Sequence, residues 1–86
     1  MRLVFTDEAW EDYQHWVSAD RQTLERINRL IEDCVREPFD GIGHPEPLRH
    51  VLAGAWSRRI TQEHRLVYGV DQRDLVIFQC RYHYER

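Results

Sequence analysis

The chain has 86 residues, which is enough for a single domain over 1–86 with one modest hydrophobic core. Hydrophobic residues make up 42% and charged residues 31%, a balance that is typical of a globular protein and excludes a disordered one. The longest apolar runs are far shorter than the roughly 20 residues of a membrane span, and the N-terminal run meets acid at Asp7. We therefore expect no membrane association, no signal peptide and a cytoplasmic location.

The net charge of −3 is unevenly distributed along the chain. Residues 1–40 carry ten acids and five arginines, a net of −5, whereas residues 41–86 carry five acids and seven arginines, a net of +2. Every basic residue is arginine, whose planar fork binds phosphate through two hydrogen bonds. The second half is therefore a candidate nucleic-acid face, although a genomic preference for arginine explains the missing lysines equally well.

The first 40 residues predict a short strand and a helical hairpin. The strand covers Leu3–Phe5, and Thr6 or Asp7 is expected to cap the first helix. Asp20 is expected to cap the second helix, which ends before Pro38. Apolar residues at helical spacing should face the core, namely Trp10, Tyr13, Trp16 and Val17 in the first helix and Leu24, Ile27, Leu30, Ile31, Cys34 and Val35 in the second.

The second half of the chain predicts a loop followed by strands. Residues 37–47 are rich in proline and glycine, and so long a loop in a small domain favours a functional role. Strands are then expected over Trp56–Ile60, Arg65–Val70 and Leu75–Tyr82, preceded by a short strand segment within Leu48–Leu52. Counted without that short segment, the α+β domain has the order β-α-α-β-β-β, with an antiparallel-dominated sheet and the helical hairpin packed on one face.

Two cysteines and five histidines raise the question of a metal site. Cys34 and Cys80 are the only cysteines, and neither lies in a closely spaced pair of the kind that structural zinc requires. We therefore predict no metal site and expect both cysteines to be small core residues with free thiols.

Four separated segments resemble the YoeB/Txe toxins of the RelE/ParE superfamily. They are Pro45-Glu46-Pro47-Leu48-Arg49-His50, Gly54-x-Trp56-Ser57-Arg58-Arg59-Ile60, Glu63-His64-Arg65-Leu66-Val67-Tyr68 and Cys80-Arg81-Tyr82-His83-Tyr84. The likeness runs from Met1 to Tyr84, with the segments in order and at matching spacing. It implies a RelE/YoeB-like fold and a ribosome-dependent endoribonuclease that cuts mRNA in the ribosomal A site, with no metal or other cofactor.

The resemblance also implies partners. A YefM-type antitoxin would neutralise the toxin, and the complex of the two would bind operator DNA. The ribosome and its mRNA would supply the substrate, and members of the family are often seen as homodimers.

Metal-free RNA cleavage needs a base for the 2′-hydroxyl, an acid for the leaving 5′-oxygen and cations for the phosphate. By resemblance, Glu46 is the base, His83 the acid and Arg65 the phosphate clamp. Pro45 and Pro47 restrict the backbone on either side of Glu46. An imidazole changes its charge between pH 5 and 8, which suits the acid.

Further RNA- or phosphate-binding residues follow from the same resemblance. Arg49 and Arg59 are supporting cations, and Tyr84 is expected to stack on a base or orient the phosphate. Glu85 and Arg86 extend the chain beyond the tyrosine at which family members often end, so the terminal carboxylate is displaced from Tyr84.

Other interpretations of these residues remain open at the level of sequence. Glu46 could be an exposed loop glutamate, His83 a frayed terminal residue and Arg65 a strand arginine that only solvates the sheet. The main alternative function is a non-catalytic toxin like the ParE proteins, which inhibit DNA gyrase. ParE-like chains generally lack the combination of glutamate, arginine and histidine, which favours the nuclease.

Overall fold

A computed structural model describes residues 1–49 and 53–83 of the chain. Its elements, in order, are β1 (Arg2–Phe5), α1 (Asp7–Ala19), α2 (Arg21–Arg36), β2 (Glu46–Pro47), β3 (Trp56–Arg59), β4 (Arg65–Asp71) and β5 (Asp74–Gln79). Within the described residues the strands form one sheet in the order β1-β5-β4-β3-β2, in which only the β1–β5 pair is parallel. The predicted α+β class and the antiparallel-dominated sheet are confirmed.

The helical hairpin forms as its caps predict. Thr6 accepts a hydrogen bond from the Ala9 N–H at 3.1 Å and so begins α1. Asp20 ends α1 and begins α2, because its backbone N–H bonds to Trp16 while its carboxylate accepts from the N–H groups of Gln22 and Thr23. A single residue thus connects the two helices, which fixes them as antiparallel neighbours.

The core lies between this hairpin and one face of the sheet. Its buried members are Ala9, Trp16, Ile27, Leu30, Ile31, Cys34, Ile60, Leu66, Tyr68, Leu75, Ile77 and Cys80. Both cysteines are buried free thiols, as expected, and burial raises the pKa of Cys34 to about 11 and that of Cys80 to about 12. The other face of the sheet, which we call the open face, carries a small buried apolar group of Leu48, Ala55 and Val67.

Several helix residues expected in the core are exposed. Val35, Trp10 and Val17 are 39%, 49% and 53% exposed, whereas Asp33 on α2 is 7% exposed. Helical spacing identifies the apolar stripe, but the tilt of each helix on the sheet decides which edge of that stripe is covered.

Two strand boundaries also differ from the sequence-based expectation. The strand expected within 48–52 is instead Glu46–Pro47, inside the predicted loop; Leu48 and Arg49 are not in a strand, and 50–52 lie outside the described residues. The last strand ends at Gln79 rather than Tyr82. It stops there because the next residue, Cys80, bonds to helix α1, donating its N–H to the Asp12 carboxylate and accepting from the Trp16 indole.

Candidate active site on the open face of the sheet

Glu46 lies on the open face, in a row that crosses four strands. Residues opposite each other in antiparallel strands project from the same face of a sheet. The register pairs Glu46 with Ser57, Ser57 with Val67 and Val67 with Gln79. Val67 belongs to the small apolar group on the open face, whereas its neighbours Leu66 and Tyr68 face the helices. The side chain of Glu46 is exposed and is therefore directed away from the core.

Two arginines oppose each other on the same face. Arg59 pairs with Arg65 across β3 and β4, two residues along from the row that contains Glu46. The backbone of Glu46 lies on the diagonal to Arg59, a separation of roughly 7–8 Å that long side chains can bridge. Like charges directly opposite each other destabilise a sheet, and an anion between them relieves that repulsion. The pair is thus suited to bind phosphate beside a carboxylate.

The Arg65 guanidinium is oriented by the turn that precedes its strand. Its Nη1 donates to the carbonyls of Thr61, Gln62 and His64 at 2.7, 3.1 and 3.1 Å. All three acceptors are backbone atoms of one short turn, so the guanidinium is held close to β4 before any ligand binds.

A buried arginine supports the loop that leads to Glu46. Arg58 is 0% exposed, and its Nη1 lies 2.6 Å from the Asp33 carboxylate while its Nε donates to the Tyr68 hydroxyl at 3.1 Å. Burial by itself lowers the pKa of Arg58. The hydrogen bonds to Tyr68 and Asp33 act in the opposite direction, and the pKa is raised overall. Arg58 therefore keeps its charge, and its hydrogen bond is the largest cause that lowers the pKa of Asp33 to about 2.

The same guanidinium binds the loop backbone directly. It donates to the carbonyls of Glu37, Asp40 and Ile42 at 2.7, 3.0 and 3.0 Å. The Tyr68 hydroxyl donates to the Pro38 carbonyl at 2.6 Å. Residues 37–45, which we call the Arg58 loop, are thus wrapped around one buried charge, and β2 with Glu46 follows directly.

The backbone shortly before Glu46 has a left-handed conformation at two consecutive residues. Gly43 and His44 have φ of 81° and 59°, and the Gly43 carbonyl accepts from the Arg59 N–H at 2.7 Å. A Cβ on Gly43 would lie 2.6 Å from the Leu30 side chain. Glycine is therefore required at 43 both for its conformation and for its close packing.

The chain after β5, residues 80–83, is the C-terminal segment, and it brings His83 to Arg65. The Arg65 N–H donates to the Tyr82 carbonyl at 3.0 Å, and His83 is the next residue. Gln79, at the end of the row containing Glu46, donates through its amide to the Arg81 carbonyl at 3.0 Å. The backbone next to the predicted acid is thus bonded to the predicted clamp, and the predicted base lies on the same sheet.

Arg49 is less closely placed than these residues: it is exposed, three residues beyond Glu46. Tyr84, Glu85 and Arg86 lie outside the described residues. Within 1–49 and 53–83, no cluster of three or more histidine, cysteine or acidic side chains is suited to a metal ion, and no helix is long and apolar enough to cross a membrane.

Arg58 and Asp33 are the important residues that the sequence analysis did not assign. A weak signal existed, because an arginine interrupts the apolar alternation of a strand and an aspartate sits next to Cys34 on α2. Nothing in the sequence pairs these two residues, which are 25 positions apart.

Comparison with known proteins gives one consistent family. Residues 5–84 match the model of the YoeB-like toxin of bacterial type II toxin–antitoxin systems. Toxin YoeB of Streptomyces coelicolor is 57% identical and Toxin YoeB of Escherichia coli K12 is 54% identical, each over 98% of this chain and 100% of the relative.

Solved structures agree with the sequence matches. A YoeB/ParE toxin from Agrobacterium tumefaciens is 49% identical with a TM-score of 0.93, over 98% of this chain and 100% of that one. A YoeB dimer and a heterotetrameric YoeB–YefM toxin–antitoxin complex, both from Staphylococcus aureus, are each 41% identical with TM-scores of 0.90 and 0.89, over 98% of both chains.

Proposed function

This chain belongs to the family of YoeB-like toxins of bacterial type II toxin–antitoxin systems, and from that membership we propose that it is a ribosome-dependent endoribonuclease that cuts mRNA in the ribosomal A site. The cleavage arrests translation. The observation that carries the proposal is that Glu46 and the Arg59–Arg65 pair share the open face, while the residue before His83 is bonded to the backbone of Arg65.

The proposed chemistry uses the RNA's own 2′-hydroxyl as nucleophile. Glu46 takes the 2′-hydroxyl proton, the 2′-oxygen attacks the adjacent phosphorus, and the bond to the 5′-oxygen breaks. His83, in its protonated form, gives its proton to the leaving 5′-oxygen, and a 2′,3′-cyclic phosphate remains. Arg65, with Arg59, holds the phosphate and stabilises the negative charge that builds on its oxygens.

Two features of the described residues support these roles. Arg65 is held by turn carbonyls, so little ordering is needed when phosphate binds. Glu46 lies between two prolines and begins the two-residue strand β2. This strand follows a loop that the buried Arg58 holds in place. Arg49 and Tyr84 remain proposed contacts to the phosphate and to a base.

The proposed partners follow from the family. Because a YoeB–YefM complex and a YoeB dimer are known for close relatives, we propose that this chain pairs with a YefM-type antitoxin and forms a homodimer. The antitoxin complex would bind operator DNA. The second half of the chain has a net charge of only +2, and so modest a charge suits an enzyme that meets its mRNA on the ribosome rather than as free RNA.

Cleavage on purified ribosomes tests the proposal. The protein is added to ribosomes stalled on a defined mRNA, and primer extension maps and quantifies the cuts. Glu46→Gln and His83→Gln should each slow cleavage on the order of 10²- to 10⁴-fold, since each removes one proton-transfer group.

Matched exchanges away from the open face act as controls. Glu32→Gln and His15→Gln make the same chemical changes on α2 and α1 and should leave cleavage unchanged. Wild-type rates for both Glu46→Gln and His83→Gln would refute the acid–base assignment. Inhibition of gyrase supercoiling without any mRNA cleavage would replace the nuclease with the ParE-like alternative.

A further inference from the structure

The residue before His83 has an uncommon backbone conformation. Tyr82 has φ of 64°, in the left-handed region that side chains rarely adopt. Its N–H donates to Nδ1 of His64 at 2.7 Å, and its carbonyl accepts from the N–H of Arg65 at 3.0 Å. His64, which directly precedes β4, and Arg65, the first residue of β4, therefore bind the peptide groups on both sides of Tyr82.

The His64 imidazole is itself fixed from several sides. It is 14% exposed and packs edge-to-face on Trp16, with ring centroids 4.9 Å apart. Trp16 in turn donates through its indole to the Cys80 carbonyl at 2.8 Å. Since Nδ1 accepts a hydrogen bond, the ring proton is on Nε2, which lies 3.9 Å from the Glu63 carboxylate.

We propose that neutral His64 is a positioning residue that fixes the turn at Tyr82 and thereby aims His83 at the phosphate held by Arg65. The inference rests on the proposed nuclease function for its catalytic consequence. In this role His64 does not contact the RNA. It acts only through the backbone of Tyr82.

The charges around His64 favour its neutral form. Burial is the largest cause that lowers the pKa of His64, and Arg81, His15 on α1 and Arg65 act in the same direction, whereas Glu63 opposes them. Protonation would convert Nδ1 from an acceptor to a donor and would break its bond to Tyr82. The turn should therefore be intact near neutral pH and lost as the solution becomes acidic.

A pair of substitutions separates the acceptor from the rest of the ring. His64→Asn puts an amide oxygen where Nδ1 is, so it accepts the same hydrogen bond but does not titrate. His64→Ala removes the acceptor. With saturating protein on programmed ribosomes, His64→Ala should lower the maximal cleavage rate on the order of 10²-fold, with little change in the concentration for half-maximal rate. His64→Asn should restore it to within about threefold of wild type.

The dependence of the cleavage rate on pH provides a second test, because a purely structural role of His64 would not change it. The ratio of the His64→Asn rate to the wild-type rate should rise as pH falls below neutrality, because only the wild type loses its acceptor. His15→Asn is a second check, since His15 also contacts Trp16 edge-to-face, at 4.8 Å, and lowers the pKa of His64. Its removal should keep cleavage near neutral pH and shift the acid loss of cleavage to higher pH.

Nuclear magnetic resonance tests the hydrogen bond independently of any activity. The Nδ1 nitrogen of His64 should appear unprotonated near neutral pH. The amide proton of Tyr82 should exchange at least about tenfold faster in His64→Ala than in the wild type, with the amides of β4 beyond Arg65 unchanged.

The outcomes distinguish the two proposals. Equal Tyr82 exchange in wild type and His64→Ala, or equal loss of cleavage in His64→Ala and His64→Asn, overturns the role of His64. A wild-type protein that cuts no mRNA refutes the nuclease, and the exchange measurement then decides by itself whether His64 holds the turn.

Discussion

The proposed base and the proposed acid are delivered by two regions that are stabilised in different ways. The Arg58 loop, residues 37–45, is organised around a guanidinium with 0% exposure that is paired with Asp33. The C-terminal segment, residues 80–83, is held by single hydrogen bonds to an imidazole, an indole, two amide groups and the Asp12 carboxylate. One region depends on a buried ion pair and the other on separate hydrogen bonds, most of them nearer to the surface.

This difference predicts different modes of failure. A buried ion pair cannot lose one partner without leaving an uncompensated charge in the core, so the Arg58 loop should open only when the whole domain unfolds. The C-terminal segment is held by separate hydrogen bonds, and those at Tyr82 are near water, so it should open locally. The base would then be permanently positioned, whereas the acid would depend on a local equilibrium.

The largest expected effect comes from removing the buried cation. Arg58→Met should cost about 3–5 kcal/mol of unfolding free energy, measured by urea denaturation, because Asp33 loses its buried cation and keeps only its ion pair with the exposed Arg36. Arg59→Met is the matched control, since Arg59 is the next residue on β3 but is exposed, and it should change stability by less than about 0.5 kcal/mol.

A double variant checks the mechanism of that loss. Arg58→Met with Asp33→Leu should recover part of the stability, because no charge remains buried. Strictly additive losses in the double variant would argue against a coupled pair.

Acid should weaken the Arg58 loop through Asp33. The pKa of Asp33 is about 2 in the folded protein against an ordinary value of 3.8, so below about pH 4 the unfolded state binds the proton first. The stability from this carboxylate is fully present above pH 4 and is lost as pH falls through 2. Asp33→Asn should flatten the pH dependence of unfolding in that window.

A surface pair provides the comparison for this titration. Arg2 also lowers the pKa of Asp74, but Arg2 is 80% exposed, so Asp74→Asn should flatten the profile less than Asp33→Asn does. If the unfolding free energies of wild type and Asp33→Asn depended identically on pH, the Asp33 carboxylate would not be the cause of the acid-induced loss of stability.

Comparing Gly43 in the Arg58 loop with Gly54 in the turn before β3 separates packing from backbone strain. Gly43→Ala should cost about 1–3 kcal/mol, because its Cβ meets Leu30 and its φ is positive. Gly54→Ala has a positive φ of 98° but no atom within 4 Å of its Cβ, so it reports the strain alone. Equal unfolding free energies for the two variants would mean that the close approach to Leu30 contributes nothing.

The smallest global effect, with a large local one, is expected in the C-terminal segment. Trp16→Phe removes the donor to the Cys80 carbonyl and should cost about 1 kcal/mol of unfolding free energy. Hydrogen exchange at residues 80–82 should accelerate more than that at Ile42, whose amide bonds to Asp33. Trp10→Phe is the control at a half-exposed indole, and uniform acceleration at both regions would contradict local opening.

The helices were predictable because their signals are local. Thr6 and Asp20 cap helices through contacts with residues two or three positions away, so the sequence contains the whole interaction. The strands were predictable as segments, but β2 was misplaced because two residues, one of them proline, carry no alternating pattern. The exposure of Val35 and Trp10 was not predictable, since it depends on how each helix lies on the sheet.

The sequence by itself determined the fold class, the free core cysteines and the family, through local periodicity and four spaced segments. Only the tertiary structure decided that Arg58 is buried against Asp33, that Arg59 and Arg65 oppose each other and that Tyr82 turns between His64 and His83. These contacts join residues far apart in the chain. They depend on strand register and helix placement, which the domain fixes through the packing of its whole core and no local pattern specifies.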